Sequence, residues 1–110
     1  MTVIKQEDLI QSVADALQYI SYYHPKDFID AVHAAYEREE SKAAKDAMAQ
    51  ILINSRMCAM GKRPICQDTG IVTVFLTIGM DVKFESDMSV EDMCNEGVRR
   101  AYTHPDNVLR

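Results

Sequence analysis

The sequence predicts an α+β fold: N-terminal helices, then a small β-sheet and a further helix, together forming part of a larger domain. Three observations predict it. Apolar residues recur at helical spacing from Leu9 to Cys58. A run of β-branched and aromatic residues follows at 71–78. Ser89-Val90-Glu91-Asp92 then resembles a capping box and opens a last helical pattern.

The first helix is expected over Asp8–Tyr23, where Leu9, Ile10, Val13, Leu17 and Ile20 share one face. His24-Pro25 ends it, because the residue before proline avoids helical angles. Pro25 can open the next helix, where its missing N–H costs nothing. That second helix carries Phe28, Ile29, Val32, Ala35 and Tyr36. The charged stretch Glu37-Arg38-Glu39-Glu40 leads to Ser41, a suitable cap for a third helix. The third helix runs from about Lys42 to Met60, with an inward stripe of Ala44, Met48, Ile51, Leu52 and Ser55 ending near Cys58. Gly61 follows as its stop signal.

Lys62-Arg63-Pro64-Ile65 is a basic link that cannot be helical through Pro64. Ile71-Val72-Thr73-Val74-Phe75-Leu76-Thr77-Ile78 reads as a strand buried on both faces. Gly79 permits a turn, and Val82-Lys83-Phe84 is its short alternating partner. The last helix bears Val90, Met93, Cys94, Val98 and Ala101 and stops at Pro105. A lone two-stranded unit is marginal in water. The remainder of the sheet is therefore expected after Arg110, where the chain ends without a stop signal.

With 110 residues the chain fits one small domain or part of a larger one. Hydrophobic content of 47% and charged content of 26% exclude the disordered and fibrous classes. The net charge of −5 argues against nucleic acid or an anionic membrane as partner. No apolar run approaches the roughly 20 residues that cross a bilayer. The N-terminus turns acidic at once, unlike a signal peptide, so a cytoplasmic location is expected. The three cysteines, Cys58, Cys66 and Cys94, are odd in number and widely spaced, which is no disulfide framework.

Cys66 stands out because it lies in the link between a helix and an apolar strand, where functional groups are often displayed. Ala47 to Gln67 contains Arg56, Lys62 and Arg63 but no acid, so it carries +3 of the total −5, which leaves −8 for the remainder. A positive island favours a thiolate, an anionic cluster or a carboxylate ligand. Cations near a helix C-terminus are also simply well placed against the helix dipole. Asp68 lies two residues from Cys66 and shares its side in an extended segment, with Gln67 turned elsewhere unless the backbone kinks at Thr69-Gly70. Asp68-Thr69-Gly70 reads equally as an ordinary turn before a strand. His24, His33 and His104 have no metal-ligand spacing and read as surface or boundary residues. Cys58 and Cys94 sit at packing positions on helix faces and read as core.

Arg63-Pro64-Ile65-Cys66-Gln67-Asp68-Thr69-Gly70, followed by the β-rich run, resembles the signature of class I fumarate hydratases and of their relatives the L-tartrate dehydratases. The helical lead-in and the closing Asn107-Val108-Leu109-Arg110 are similar to that family as well, with Val108 an addition to its wording. The resemblance covers essentially the whole chain and only the start of the family's sequence. It implies that residues 1–110 are the N-terminal part of an iron–sulfur hydro-lyase catalytic domain. It implies that Cys66 is one of three cysteines holding a [4Fe–4S] cluster, the other two lying beyond Arg110. It implies substrate contacts for Gln67 and Asp68, with Asp68 moving a proton or hydrogen-bonding the substrate hydroxyl. Arg110 is implied to bind a carboxylate of a small dicarboxylate substrate, and the full-length enzyme to be a homodimer. The activity so implied is reversible hydration of fumarate to L-malate. Two alternatives stand beside it: dehydration of L-tartrate to oxaloacetate, and a non-catalytic helical interaction domain in which Cys66 is a bystander.

Overall fold

The computed structural model describes residues 1–65, 70–107 and 109. In chain order the elements are β1 (Thr2–Lys5), α1 (Gln6–Tyr22), α2 (Lys26–Arg38), α3 (Lys42–Gly61), β2 (Val82–Glu85) and α4 (Val90–Thr103). The arrangement is α+β, as the sequence predicts. The chain divides into two compact units, one of Met1–Tyr19 with Asp68–Arg110 and the other of Ile20–Gln67, so the boundary falls inside α1.

In the first unit β1 and β2 pair in parallel, Thr2 opposite Val82 and Lys5 opposite Glu85. Both the pairing and β1 itself differ from expectation, which had Val82-Lys83-Phe84 joined to the run at 71–78. Residues 71–78 form no strand, and the backbone pairing among the described residues involves none of them. They are not buried on two faces either: Phe75 is 91% exposed, and only Val72 is partly covered. The composition of the run is that of a central strand, but the described chain places no neighbour on its edges, and a strand exists only with one. Val82 donates instead to the Gly79 carbonyl at 3.2 Å, closing the turn before β2.

α4 begins as its sequence indicates, with the Ser89 hydroxyl accepting the Asp92 N–H at 3.0 Å. Met93, Cys94, Gly97 and Ala101 make its buried face, and Ile10, Ala14 and Leu17 that of α1. Ile10 and Met93 are fully buried, each worth about 1.5–3 kcal/mol relative to exposure. Small residues let the two helices approach closely: a Cβ on Gly97 would lie 2.7 Å from the Val13 Cβ. Ala14, Leu17, Ala101 and Leu109 form one cluster, flanked by Val13, Val72, Val98 and Tyr102. Ile20, expected on the inward face of α1, is exposed.

In the second unit α2 packs on α3. Pro25 is the N-cap of α2, and the Ser41 hydroxyl caps α3 by accepting the Ala44 N–H at 3.4 Å. The inward stripe of α3 holds at Ala44, Met48, Leu52, Ser55 and Cys58, whereas Ile51 is exposed. By spacing Ile51 shares this face, three residues after Met48 and four before Ser55, so its exposure records that no described neighbour covers it there. α3 ends one residue later than expected, and Lys62 rather than Gly61 takes the left-handed conformation, with φ 49°. A lysine in that region costs about 1–2 kcal/mol more than glycine.

Candidate functional site

The residues singled out by the sequence, Cys66, Gln67, Asp68 and Arg110, lie outside the described residues. What the structure shows is how the chain is held on its way into and out of them.

The approach to Cys66 lies in the second unit. At the end of α3 the Cys58 carbonyl accepts the Lys62 N–H and, at 3.0 Å, the Arg63 N–H. The buried Cys58 thiol donates to the Pro64 carbonyl at 3.5 Å and the Asn54 side-chain oxygen at 3.7 Å. The Ile65 N–H donates to the Ser21 carbonyl at 2.7 Å, satisfying one of the carbonyls that the last turn of α1 leaves without a helical partner. Close by, a His24 ring nitrogen is hydrogen-bonded to the Ser55 hydroxyl at 2.9 Å, and the ring stacks on Phe28 at 4.4 Å. His24 is thus the boundary residue that its sequence suggests, but its contact with Ser55 was invisible in the sequence. Arg56, Lys62 and Arg63 are all exposed, and none is in an ion pair among the described residues.

The exit lies in the first unit. Gly70 has φ 92°, in the left-handed region, with open space where a Cβ would be. The kink that Thr69-Gly70 allows is thus present at Gly70, and its demand is conformational rather than steric. Beside Gly70 is an open hollow of about 500 Å³, bounded by Val72, Asn95, Val98, Arg99, Tyr102 and Thr103. The approach to Arg110 is held by Asn107. Its side-chain amide donates to the Tyr102 carbonyl at 3.0 Å, and its side-chain oxygen accepts the Leu109 N–H at 2.7 Å. Leu109 is buried in the core cluster. An asparagine that ties its own backbone in this way is a turn signal legible in sequence, and its place within the Asn107-Val108-Leu109-Arg110 motif does not by itself reveal it.

The donor chemistry of the described residues does not make a cluster site. No group of three His, Cys, Asp or Glu side chains able to hold a metal ion occurs among them. Cys58 and Cys94 are both buried in helix faces, as their spacing indicates. Among the described residues, therefore, nothing fits an iron–sulfur cluster, which normally takes three or four protein ligands. A second hollow of about 490 Å³, between α1 and α4, contains none of the singled-out residues. Its polar groups are already engaged: Gln11 with Asp15, Gln18 with the Ala101 carbonyl, and Arg100 with Glu7. No described helix is long and apolar enough to cross a membrane.

Comparison with known proteins gives two matches. A family model described as fumarate hydratase (Fumerase) matches residues 10–110. A protein of Methanocaldococcus jannaschii named "Putative L(+)-tartrate dehydratase subunit alpha" is 32% identical over 89 residues, which are 81% of this chain and 31% of that protein. The chain therefore spans less than a third of the length of that curated relative, as the 31% coverage states. No solved structure matches.

Proposed function

The chain belongs to the fumarate hydratase (Fumerase) family, and on that premise we propose that it is the N-terminal part of the catalytic domain of an iron–sulfur hydro-lyase that hydrates fumarate reversibly to L-malate. The observation that carries the reading is the family match over residues 10–110, which runs through Cys66-Gln67-Asp68-Thr69-Gly70. In this reading Cys66 supplies one soft thiolate ligand to a [4Fe–4S] cluster, and the other ligands come from outside these 110 residues. When bound, such a cluster supplies a Lewis-acidic iron. Arg110 holds a substrate carboxylate, for which a planar guanidinium is suited. Gln67 contacts the substrate, and Asp68 moves its proton or hydrogen-bonds its hydroxyl. The exposed Arg56, Lys62 and Arg63 raise the local concentration of a dianionic substrate. A cytoplasmic homodimer completes the reading.

Dehydration of L-tartrate is the second reading, favoured by the name of the M. jannaschii relative. The same name, with its "subunit alpha", favours a separate second subunit over a single-chain homodimer. L-malate and L-tartrate differ by one hydroxyl, which a pocket built to bond it discriminates strongly.

The test is made in the full-length protein, reconstituted anaerobically with iron and sulfide. Loss of fumarate absorbance and formation of oxaloacetate from L-tartrate are compared side by side. Cys66→Ser is expected to lose visible cluster absorbance and turnover together. Asp68→Asn is expected to keep the cluster and lose most turnover, because an amide cannot carry the proton. A Cys66→Ser protein with a full cluster and normal turnover removes Cys66 from the ligand set. Full activity in Asp68→Asn leaves that residue as a turn former.

A further inference from the structure

We propose that residues 71–78 are a docking strand for another β-strand of the same full-length protein, contributed from outside these 110 residues; the inference rests on the reading of the chain as the N-terminal part of a longer catalytic domain. The run lies in the first unit, and six of its eight residues are β-branched, with Phe75 and Leu76 the others. Its exposure alternates. Val72 is half-buried, and Val74, Leu76 and Ile78 are 41%, 45% and 46% exposed, against 74% for Ile71 and 91% for Phe75. Thr73 and Thr77 are exposed as well. Val72, Val74 and Leu76 line a hollow of about 340 Å³ together with Val90, Cys94 and Val98 of α4. A period of two belongs to extended backbone, in which successive side chains take opposite sides. The even-numbered residues therefore lie toward α4 and the odd-numbered ones away from it.

What the run lacks is a neighbour. It contains no proline, so its eight residues present eight N–H and eight C=O groups. Among the described residues no backbone hydrogen bond reaches them, and the sheet formed there contains β1 and β2 alone. A long apolar edge left in water templates pairing, and native proteins pair it or cover it. Ile71 and Phe75 add an apolar outer face that marks the same surface for contact. The match covers 31% of the curated relative, so the larger part of a protein of that kind lies outside these residues. A segment of the same chain meets the run at an effective concentration of about 1 mM. It therefore wins over a second copy, which offers the same edges at lower concentration.

The test uses the full-length protein. Hydrogen exchange is followed at the single amides of residues 71–78, and Phe75→benzoylphenylalanine is photolysed to find what lies over the outward face. The hydrogen-bonded amides are expected to exchange about 10³-fold slower than in an unstructured chain, as in a core strand. Protection at consecutive amides means a neighbour on both edges, and protection at alternate amides a neighbour on one. The photoproduct is expected to be a single chain in which position 75 is joined to a peptide from outside residues 1–110. Exchange at the unstructured rate overturns the docking, and wild type alone decides that. A cross-linked pair of chains assigns the surface to a second copy and overturns the proposal, as does a link within residues 1–110. An active hydratase with unprotected amides defeats the docking and leaves the hydro-lyase reading standing. Protected amides and the internal link in a protein without hydratase activity do the reverse.

Discussion

A Cβ placed on Gly97 would lie 2.8 Å from the backbone carbonyl oxygen of Ile10, so α1 and α4 meet there with almost no side chain between them. The same atom would stand 2.7 Å from the Val13 Cβ, which is fixed to its helix and cannot turn away. In an open helix interior, alanine is worth about 1 kcal/mol over glycine. Here overpacking at about 1–3 kcal/mol opposes that gain. Gly97→Ala is therefore expected to destabilise the protein by up to about 2 kcal/mol in urea unfolding. A higher unfolding midpoint for the variant would show that the helices can part without loss.

Acid sensitivity is expected to involve Glu96 and Glu7. Hydrogen bonds from Arg99 and then Arg100 hold the Glu96 carboxyl down at about 2, and a hydrogen bond from Arg100 lowers Glu7. A carboxyl whose folded value is depressed contributes stability above its ordinary value of 4.5, and loses it as pH falls toward the folded value. Both groups lie at the surface, where solvent screens them, so the effect is small. Urea midpoints at about pH 5 and about pH 3 should fall farther for wild type than for Glu96→Gln, across the window where the carboxylate protonates. Equal slopes in the two proteins would remove Glu96 from the acid response.

Cys58→Ala and Cys94→Ala are expected to spare cluster content and activity and to cost about 1 kcal/mol each through lost packing. For Cys58 it is the backbone carbonyl, accepting from Arg63, that anchors the following turn, and alanine keeps it. Iron content per chain, measured with the unfolding midpoint, decides between packing and ligation. A fall in iron in either variant would make that cysteine a ligand.

Residues 71–78 bear on the behaviour of the piece alone. Phe75 is 91% and Ile71 74% exposed, in a run of strand-forming composition without backbone pairing among the described residues. Such a run templates association with other chains. Residues 1–110 expressed alone are expected to self-associate, to show no hydratase activity and to hold no stable [4Fe–4S] cluster. Phe75→Lys should shift the piece toward monomer in size-exclusion chromatography, since a charge opposes strand addition. A monomeric wild-type piece at high concentration would show that the run is protected without a partner, and measurable fumarate hydration by the piece would place the whole active site within it.

By itself the sequence determined what depends on near neighbours. The four helices follow from apolar spacing, and their starts from Pro25, Ser41 and Ser89, because a helix is closed by contacts three and four residues apart. The burial of Cys58 and Cys94 follows from the same spacing. The candidate site was singled out as a string because Cys66, Gln67 and Asp68 are contiguous in the chain. Only the tertiary structure decided what depends on distant partners. Thr2–Lys5 becomes a strand because Val82–Glu85 arrives beside it, while among the described residues no edge reaches the better strand former at 71–78. Ile20 and Ile51 lie outside the cores that their hydrophobicity suggested, since a helix buries only the face that meets a neighbour. The His24–Ser55 pair, separated by 31 residues, is likewise closed by the packing of helices, and a pattern of neighbours along the chain carries no trace of it.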